Sequence, residues 1–360
     1  MTTLRLFEFL LVLVLAGAGI VGCAQTAKNK SAESEPASFM PQLPPLPGTG
    51  ALKSESDTTD FTFIVAGDNR PELNGPAQPV ITAQIIQDLK QYKPSFILWT
   101  GDAIYGKDPD KKLIKAEYEA FLELLHGAGV PVFNVPGNHE MNAAKNAPCP
   151  EMEKLYQDHM VKELYGAFSY GTSRFIALNT DSLKKDADCK LPTKKYVNSG
   201  YVNKDQLASL DAYLKANDSA QHVFIFMHRP MAPSKVKAGL DADSTKALKD
   251  IFAKHKNIVY VLAGHQHQYY NGLTKDTSPP PCVPSKGNSP PFYLVTGGAG
   301  APLSGDKHEE EEEADELTPG AFYNYLVFEV KTHNVNATLV NCGSDPTKAQ
   351  CQAQPSCGTP

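Results

Sequence analysis

Five short apolar runs in this 360-residue chain end in the same way. Each is followed at once by carboxylate, carboxamide or imidazole side chains. Phe61–Ala66 leads into Gly67-Asp68-Asn69-Arg70, and Phe96–Thr100 into Gly101-Asp102-Ala103-Ile104-Tyr105. Val130–Val135 leads into Pro136-Gly137-Asn138-His139-Glu140, and Val223–Met227 into His228-Arg229-Pro230. Ile258–Ala263 leads into Gly264-His265-Gln266-His267. Runs of this length bounded by turn residues read as buried strands. In open α/β sheets, ligand sites gather at the carboxyl ends of the strands. The glycines permit sharp turns and a close backbone approach to an ion. One such piece means little, since Gly305-Asp306 stands in the same chain with no clear strand-end role. Five in series point to a metal site.

The rest of the pattern is that of an α/β protein, because apolar runs alternate with helical stretches. Further strands are expected at Phe175–Asn179, Pro291–Thr296 and Tyr325–Val330, the last continuing toward Val340, and the fourth run is expected to extend back over His222–Met227. Helices are expected at Val80–Gln91, Lys111–His126, Tyr201–Asn217 and Ser244–His255, where apolar residues recur at three-and-four spacing. With 41% hydrophobic residues the chain can bury a large core, and residues 59–342 read as a single domain. The net charge of −6 offers no basic footprint, so no nucleic-acid partner is predicted. Lys184–Tyr196 and Lys307–Glu316, the second carrying the acidic run Glu309–Glu313, read as solvated surface insertions.

The first 58 residues read differently. Arg5 precedes an apolar run from Phe9 to Val21, the length of a signal-peptide core and short for a membrane span. The run ends in Ile20-Val21-Gly22-Cys23, which resembles the lipobox of bacterial lipoproteins. That resemblance implies a signal peptide over 1–22 and an acylated Cys23 that holds the protein at a membrane. With Ala24 next, it implies the outer membrane if the cell is Gram-negative. Residues 23–58 read as a lipidated tether: Pro36, Pro41, Pro44, Pro45 and Pro47 sit among polar residues with little apolar periodicity. At about 3.1 Å per residue it would reach on the order of 100 Å.

Without Cys23, six cysteines remain: Cys149, Cys189, Cys282, Cys342, Cys351 and Cys357. An even number in an exported chain suggests disulfides, and the spacings match no C-x-x-C zinc site. Cys351 with Cys357 is expected to close a small loop in a Cys-containing tail over 343–360.

The order of the five strand-end pieces resembles the calcineurin-like metallophosphoesterase superfamily, whose pattern runs D-x-H, G-D-x-x, G-N-H-[ED], H and G-H-x-H. The match spans residues 67–267, and Thr296-Gly297-Gly298-Ala299-Gly300 looks like the same family. Arg70 stands where many members have His, while Tyr105 lies three residues after Asp102. A D-x-x-Y motif without the first His is similar to the purple acid phosphatase branch. The resemblance implies a four-layer αββα sandwich, two mixed β-sheets flanked by helices, with metals at one sheet edge.

It also implies two metal ions. Asp68, Asp102, Tyr105 and His267 would hold one; Asp102, Asn138, His228 and His265 would hold the other, with Asp102 bridging. His139 would stabilise the transferring phosphoryl group or protonate the leaving oxygen. Oxygen and imidazole donors without thiolates suit iron, manganese or zinc. A phenol favours a hard, highly charged ion, which argues for Fe(III) at the Tyr105 site with Fe(II), Zn or Mn at the other. Two such ions acidify a water and clamp both attacking and leaving oxygens, so a hydroxide between them would attack phosphorus in line. Asp102 and His139 thus carry the catalysis. Arg70 is open to two roles, a bidentate contact with a substrate phosphate or a pair with Glu72. Arg229 reads as structural, and His126, His159, His222, His255, His308 and His333 take no part in the pattern. The expected activity is hydrolysis of small phosphate monoesters. The alternatives are a phosphodiesterase on cyclic nucleotides or lipid head groups, and a surface-tethered binding module without turnover.

Overall fold

Strand β1 (Phe61–Ala66) shows why the chain builds layers on both sides of a sheet. In the computed structural model Phe61, Phe63 and Val65 join one hydrophobic cluster, while Ile64 and Ala66 join another. Side chains alternate across a strand, so a run with apolar residues at both odd and even positions must be covered on both faces. Strand β6 (His222–Met227) repeats the logic: Phe224 and Phe226 share the cluster of Phe63, and Val223, Ile225 and Met227 face a third. The structure describes residues 59–72, 75, 77–107, 110–141, 149–182, 200–234, 239–281, 283–284, 291–304 and 317–355. The signal segment, the tether with Cys23, the insertion 184–196 and the acidic run lie outside them.

The first sheet runs β13 (Gln352–Pro355), β12 (Asn334–Asn341), β11 (Asn324–Val330), β1, β2 (Phe96–Trp99) and β3 (Val132–Asn134), with β9 (Val283–Pro284) also paired to β12. The second runs β4 (Gly166–Tyr170), β5 (Ser173–Leu178), β6, β7 (Ile258–Ala263), β10 (Phe292–Thr296) and β8 (Tyr269–Asn271). Both are mixed. β1, β2 and β3 are parallel neighbours in one, and β5, β6, β7 and β10 in the other, with antiparallel strands outside them. The cluster shared by the two sheets is aromatic: Phe63 stacks on Phe96 and Phe328, and Phe175 on Phe224.

Helices α1 (Val80–Asp88), α2 (Lys111–His126) and α4 (Cys149–His159) cover the outer face of the first sheet through Ile81, Ile85, Tyr118, Phe121, Met152 and Tyr156. Helices α5 (Lys204–Ala216) and α6 (Ala242–Phe252) cover the second through Leu210, Leu214, Leu248 and Phe252. This is the expected αββα sandwich. Side-chain caps set helix starts that periodicity left loose. Asn203 accepts from the Gln206 N–H, so α5 begins three residues later than Tyr201, and Asp241 accepts from the Ser244 N–H, so α6 begins before Ser244. Among the described residues, no helix is long and apolar enough to cross a membrane.

One expectation is corrected. Cys351 pairs with Cys342, not with Cys357. β12 and β13 are antiparallel with Asn341 opposite Gln352, so the next two residues, Cys342 and Cys351, face each other across the hairpin. The first sheet therefore runs on to Pro355, past the expected boundary at 342.

Candidate metal centre

The five strand ends meet at one edge shared by the two sheets. Asp68 follows β1, Asp102 follows β2, and a short helix α3 (Asn138–Met141) follows β3. His228 follows β6, and His265 and His267 follow β7. Two contacts join the sheets here: the His265 N–H donates to Asp68 Oδ1 at 2.9 Å, and His228 Nδ1 lies 2.8 Å from the Thr100 carbonyl oxygen. Asp68, Asp102 and His265 have φ of 61°, 52° and 69°, a left-handed backbone that costs a non-glycine residue about 1–3 kcal/mol. They are three of the five described non-glycine residues with positive φ, so the strain is concentrated at the candidate site. Packing is close enough to demand glycine: a Cβ on Gly264 would come within 2.2 Å of Asp68 Oδ2, and one on Gly137 within 2.1 Å of Asp102 Oδ1.

Two sets of donors converge. Asp102, His228 and His265 form one group and Asp68, Asp102 and His267 the other, the ligand atoms of each lying within 4.8 Å of one another. Asp102 belongs to both. His228 Nε2 lies 3.0 Å from Asn138 Oδ1, 3.4 Å from Asp102 Oδ2 and 3.2 Å from His265 Nδ1. His267 Nε2 lies 3.7 Å from Asp68 Oδ1. The other nitrogens explain these orientations. A carbonyl only accepts, so Thr100 keeps the proton on His228 Nδ1 and Pro302, 2.6 Å from His267 Nδ1, keeps it there. Each bond leaves the Nε2 lone pair directed at the cluster, the usual arrangement of a metal-ligating histidine. The donor set therefore fits two cations.

Its electrostatics agree. Burial pushes Asp68 up to about 7, aided by the Asp102 charge and opposed by His228 and His267. Burial would also raise Asp102, but His228 and His139 outweigh it and hold that carboxyl well below its ordinary value. Burial would lower His228, yet Asp102 and Asp68 together push it up to about 10. Two buried carboxylates in contact with imidazoles draw positive charge into the cluster.

His139 lies beside this group, its backbone N–H donating to Asp102 Oδ1 at 3.0 Å and its Nδ1 2.5 Å from the Tyr105 carbonyl oxygen. Burial holds its imidazole well below the usual range; nearby Arg70 and Lys107 lower it further, against the pull of Asp102. The Tyr105 ring centroid is 6.0 Å from that of His139. Arg70 and Lys107 sit over the Tyr105 ring at 5.9 and 5.6 Å. Arg70 is buried and donates to the Pro71 carbonyl, and among the described residues its Nε has no hydrogen-bond partner and Glu72 does not pair with it.

Two groups emerge that the strand-end pattern left without a role. The Glu140 carboxylate accepts from the N–H groups of Asp102, Ala103, Ile104 and Gly137, tying two donor-bearing loops together. Arg229 does more than pack: its Nη1 is 3.0 Å from His265 Nε2, and its Nε donates to the buried Asp181 at 2.7 Å. Glu140 was visible in the Gly137–Glu140 run, whereas Asp181 carries no local signal.

A family model described as calcineurin-like phosphoesterase matches residues 61–269. A probable cyclic nucleotide phosphodiesterase of Vesicomyosocius okutanii is 25% identical over 187 residues, 51% of this chain and 67% of the relative. The 3',5'-cyclic adenosine monophosphate phosphodiesterase CpdA of Haemophilus influenzae is 24% identical over 251 residues, 64% and 77% of the two chains. Among solved structures, a dimetal phosphatase from Danio rerio superposes with a TM-score of 0.56 at 15% identity, covering 82% of this chain and 99% of that one. A purple acid phosphatase from yellow lupin gives 0.55 at 15% identity over 82% of this chain, which spans about half, 53%, of the lupin protein. These two structures share the fold.

Proposed function

The chain belongs to the calcineurin-like phosphoesterase family, and from that premise we propose that it is a two-metal phosphoesterase acting on small phosphate monoesters. The observation that carries the reading is Asp102, whose carboxylate is common to both donor groups at a shared sheet edge. Asp68, Asp102, Tyr105 and His267 hold one ion in this reading; Asp102, Asn138, His228 and His265 hold the other. The Tyr105 phenol favours Fe(III) at its site, with Fe(II), Zn or Mn at the second. When bound, the ions would acidify a water and offset the charge of the ester.

The side chains supply the rest. Glu140 holds the Asp102 and Gly137 loops in register. His139 donates a hydrogen bond from Nδ1 to the Tyr105 carbonyl oxygen, which leaves Nε2 for the substrate. In the neutral ring Nε2 accepts; once protonated it donates to a leaving oxygen. Its lowered pKa makes the donor form an acid-side species, so this role fits an enzyme that works below neutral pH.

A second reading is hydrolysis of a cyclic nucleotide diester, favoured by the names of the two sequence relatives. Nitrophenyl phosphate, its bis-nitrophenyl diester and cyclic AMP, assayed with metal analysis of the same preparation, separate the two. Monoester turnover that falls on the order of 10³-fold in Asp102→Asn supports the proposal. Turnover confined to cyclic AMP moves the assignment to the diester. Two bound ions without turnover on any ester would favour a binding module. We also propose export and anchoring through lipid on Cys23; a Cys23→Ser protein that stays in the membrane fraction would refute it.

A further inference from the structure

Beside the metal donors lies a second charged feature that the cluster does not use. Arg70 is 4% exposed, and its Nε is buried without a hydrogen-bond partner. Among the described residues no carboxylate pairs with it, and its bond to the protein goes to the Pro71 carbonyl. A buried guanidinium left this way is costly unless an anion completes it. Its position is set by a rigid neighbour: Asn69 accepts from Trp99 Nε1 at 2.9 Å and donates to Gln78 Oε1 at 2.6 Å. The loop after β1 is thereby held, with Arg70 over the ring of Tyr105. Lys107 brings a second cation to the same ring. The Tyr105 ring centroid lies 6.0 Å from that of His139, whose backbone N–H donates to Asp102, so both cations stand near the donor cluster.

We propose that Arg70, with Lys107, forms an anion subsite beside the metal donors that binds the non-bridging oxygens of a terminal phosphate and sets a preference for dianionic monoesters over diesters. The inference rests on the phosphoesterase reading and deepens it. A monoester phosphate carries close to two charges and three non-bridging oxygens near neutral pH. A guanidinium offers a planar fork that engages two of them at once, which a lysine at position 70 would not do. A diester has one charge and two such oxygens, and its second substituent occupies the position of the third. The same cationic corner therefore stabilises a monoester more than a diester.

The test uses the full-length, metal-loaded protein and the variants Arg70→Gln, Arg70→Lys and Lys107→Gln, each checked for metal content and thermal unfolding. Two readouts are compared: kcat/KM on nitrophenyl phosphate against bis-nitrophenyl phosphate, and calorimetric binding of inorganic phosphate. Arg70→Gln is expected to lower the monoester-to-diester ratio about 10- to 100-fold and to weaken phosphate binding to a similar extent, with metal content unchanged. Arg70→Lys should restore part of the ratio, and Lys107→Gln should lower it less than Arg70→Gln. Equal loss on both esters, or an unchanged ratio, overturns the proposal. If the wild type hydrolyses neither nitrophenyl ester nor cyclic AMP, the phosphoesterase reading fails, and phosphate binding still decides the subsite: unchanged affinity in Arg70→Gln removes it. If Arg70→Gln does not fold, Lys107→Gln carries the same two measurements.

Discussion

His222 and His228 sit at opposite ends of β6, both fully buried, and they titrate in opposite directions. Burial alone pushes His222 down to about 4, and among the described residues its Nε2 has no hydrogen-bond partner. Its neighbour across the sheet is Ser173 Oγ at 3.5 Å from Nδ1. His228 meets the same burial, but Asp102 and Asp68 carry it up to about 10. Burial therefore does not distinguish a packed histidine from a metal donor. What distinguishes them is which strands bring carboxylates to the same end. At the carboxyl edge, the parallel strands β1 and β2 of the first sheet deliver Asp68 and Asp102 to His228 of the second; at the amino edge of β6, the neighbours are a serine and a threonine–glutamine pair, Thr172 and Gln221.

That contrast is open to attack by experiment. The largest effect expected is on His228→Ala, which should lose metal affinity on the order of 10²-fold or more and fall in activity with it. His222→Leu should keep both. Equal losses in the two variants, read by metal analysis and ester turnover, would mean that the two ends of β6 are not functionally different. A middle-sized effect is expected in the pH dependence of metal binding. Asp68 at about 7 and His228 at about 10 must both release protons when a cation binds. Apparent affinity should thus rise about tenfold per pH unit for each proton released, through both groups below about pH 7 and through His228 alone from there toward pH 10. Chelator competition measures it, and a flat profile would show that the cluster does not bind the cation through these groups.

The smallest effect concerns His222. Its folded pKa is depressed below the unfolded value of about 6.5, so its stabilising contribution is complete above that value. It is lost as pH falls toward about 4, because the unfolded chain then binds the proton that the folded one resists. Urea denaturation should show His222→Leu losing about 1–3 kcal/mol less than wild type between about pH 7 and pH 4.5. The same loss in both proteins would place the buried charge problem elsewhere.

Much of the fold is legible in the order of the amino acids. The strands that are buried on both faces, such as β1, β6 and β7, announce themselves as apolar runs interrupted at most by one residue, Thr62 in β1 and His222 in β6. Edge strands do not. β4 reads Gly-Ala-Phe-Ser-Tyr and β13 Gln-Ala-Gln-Pro, compositions that pairing with one neighbour makes into strands and that no periodicity marks. Nearness in sequence points Cys351 toward Cys357, whereas the β12–β13 register sets it against Cys342. The candidate donors are legible because each follows its own strand within a few residues. Their supports are not: Asp181 reaches His265 through Arg229, from a distant part of the chain, and Glu140 reaches back to the loop of Asp102.

By itself the sequence determined which side chains stand at strand ends, because hydrophobic runs and the glycines after them are local properties of the chain. The choice among them belonged to the tertiary structure. Only the packing of one sheet on the other makes Asp102 common to two donor groups, leaves Arg70 buried beside Tyr105 with no carboxylate partner among the described residues, and separates His228 from His222. Charges interact through space, and the distances that decide their strength are set by strands far apart in sequence.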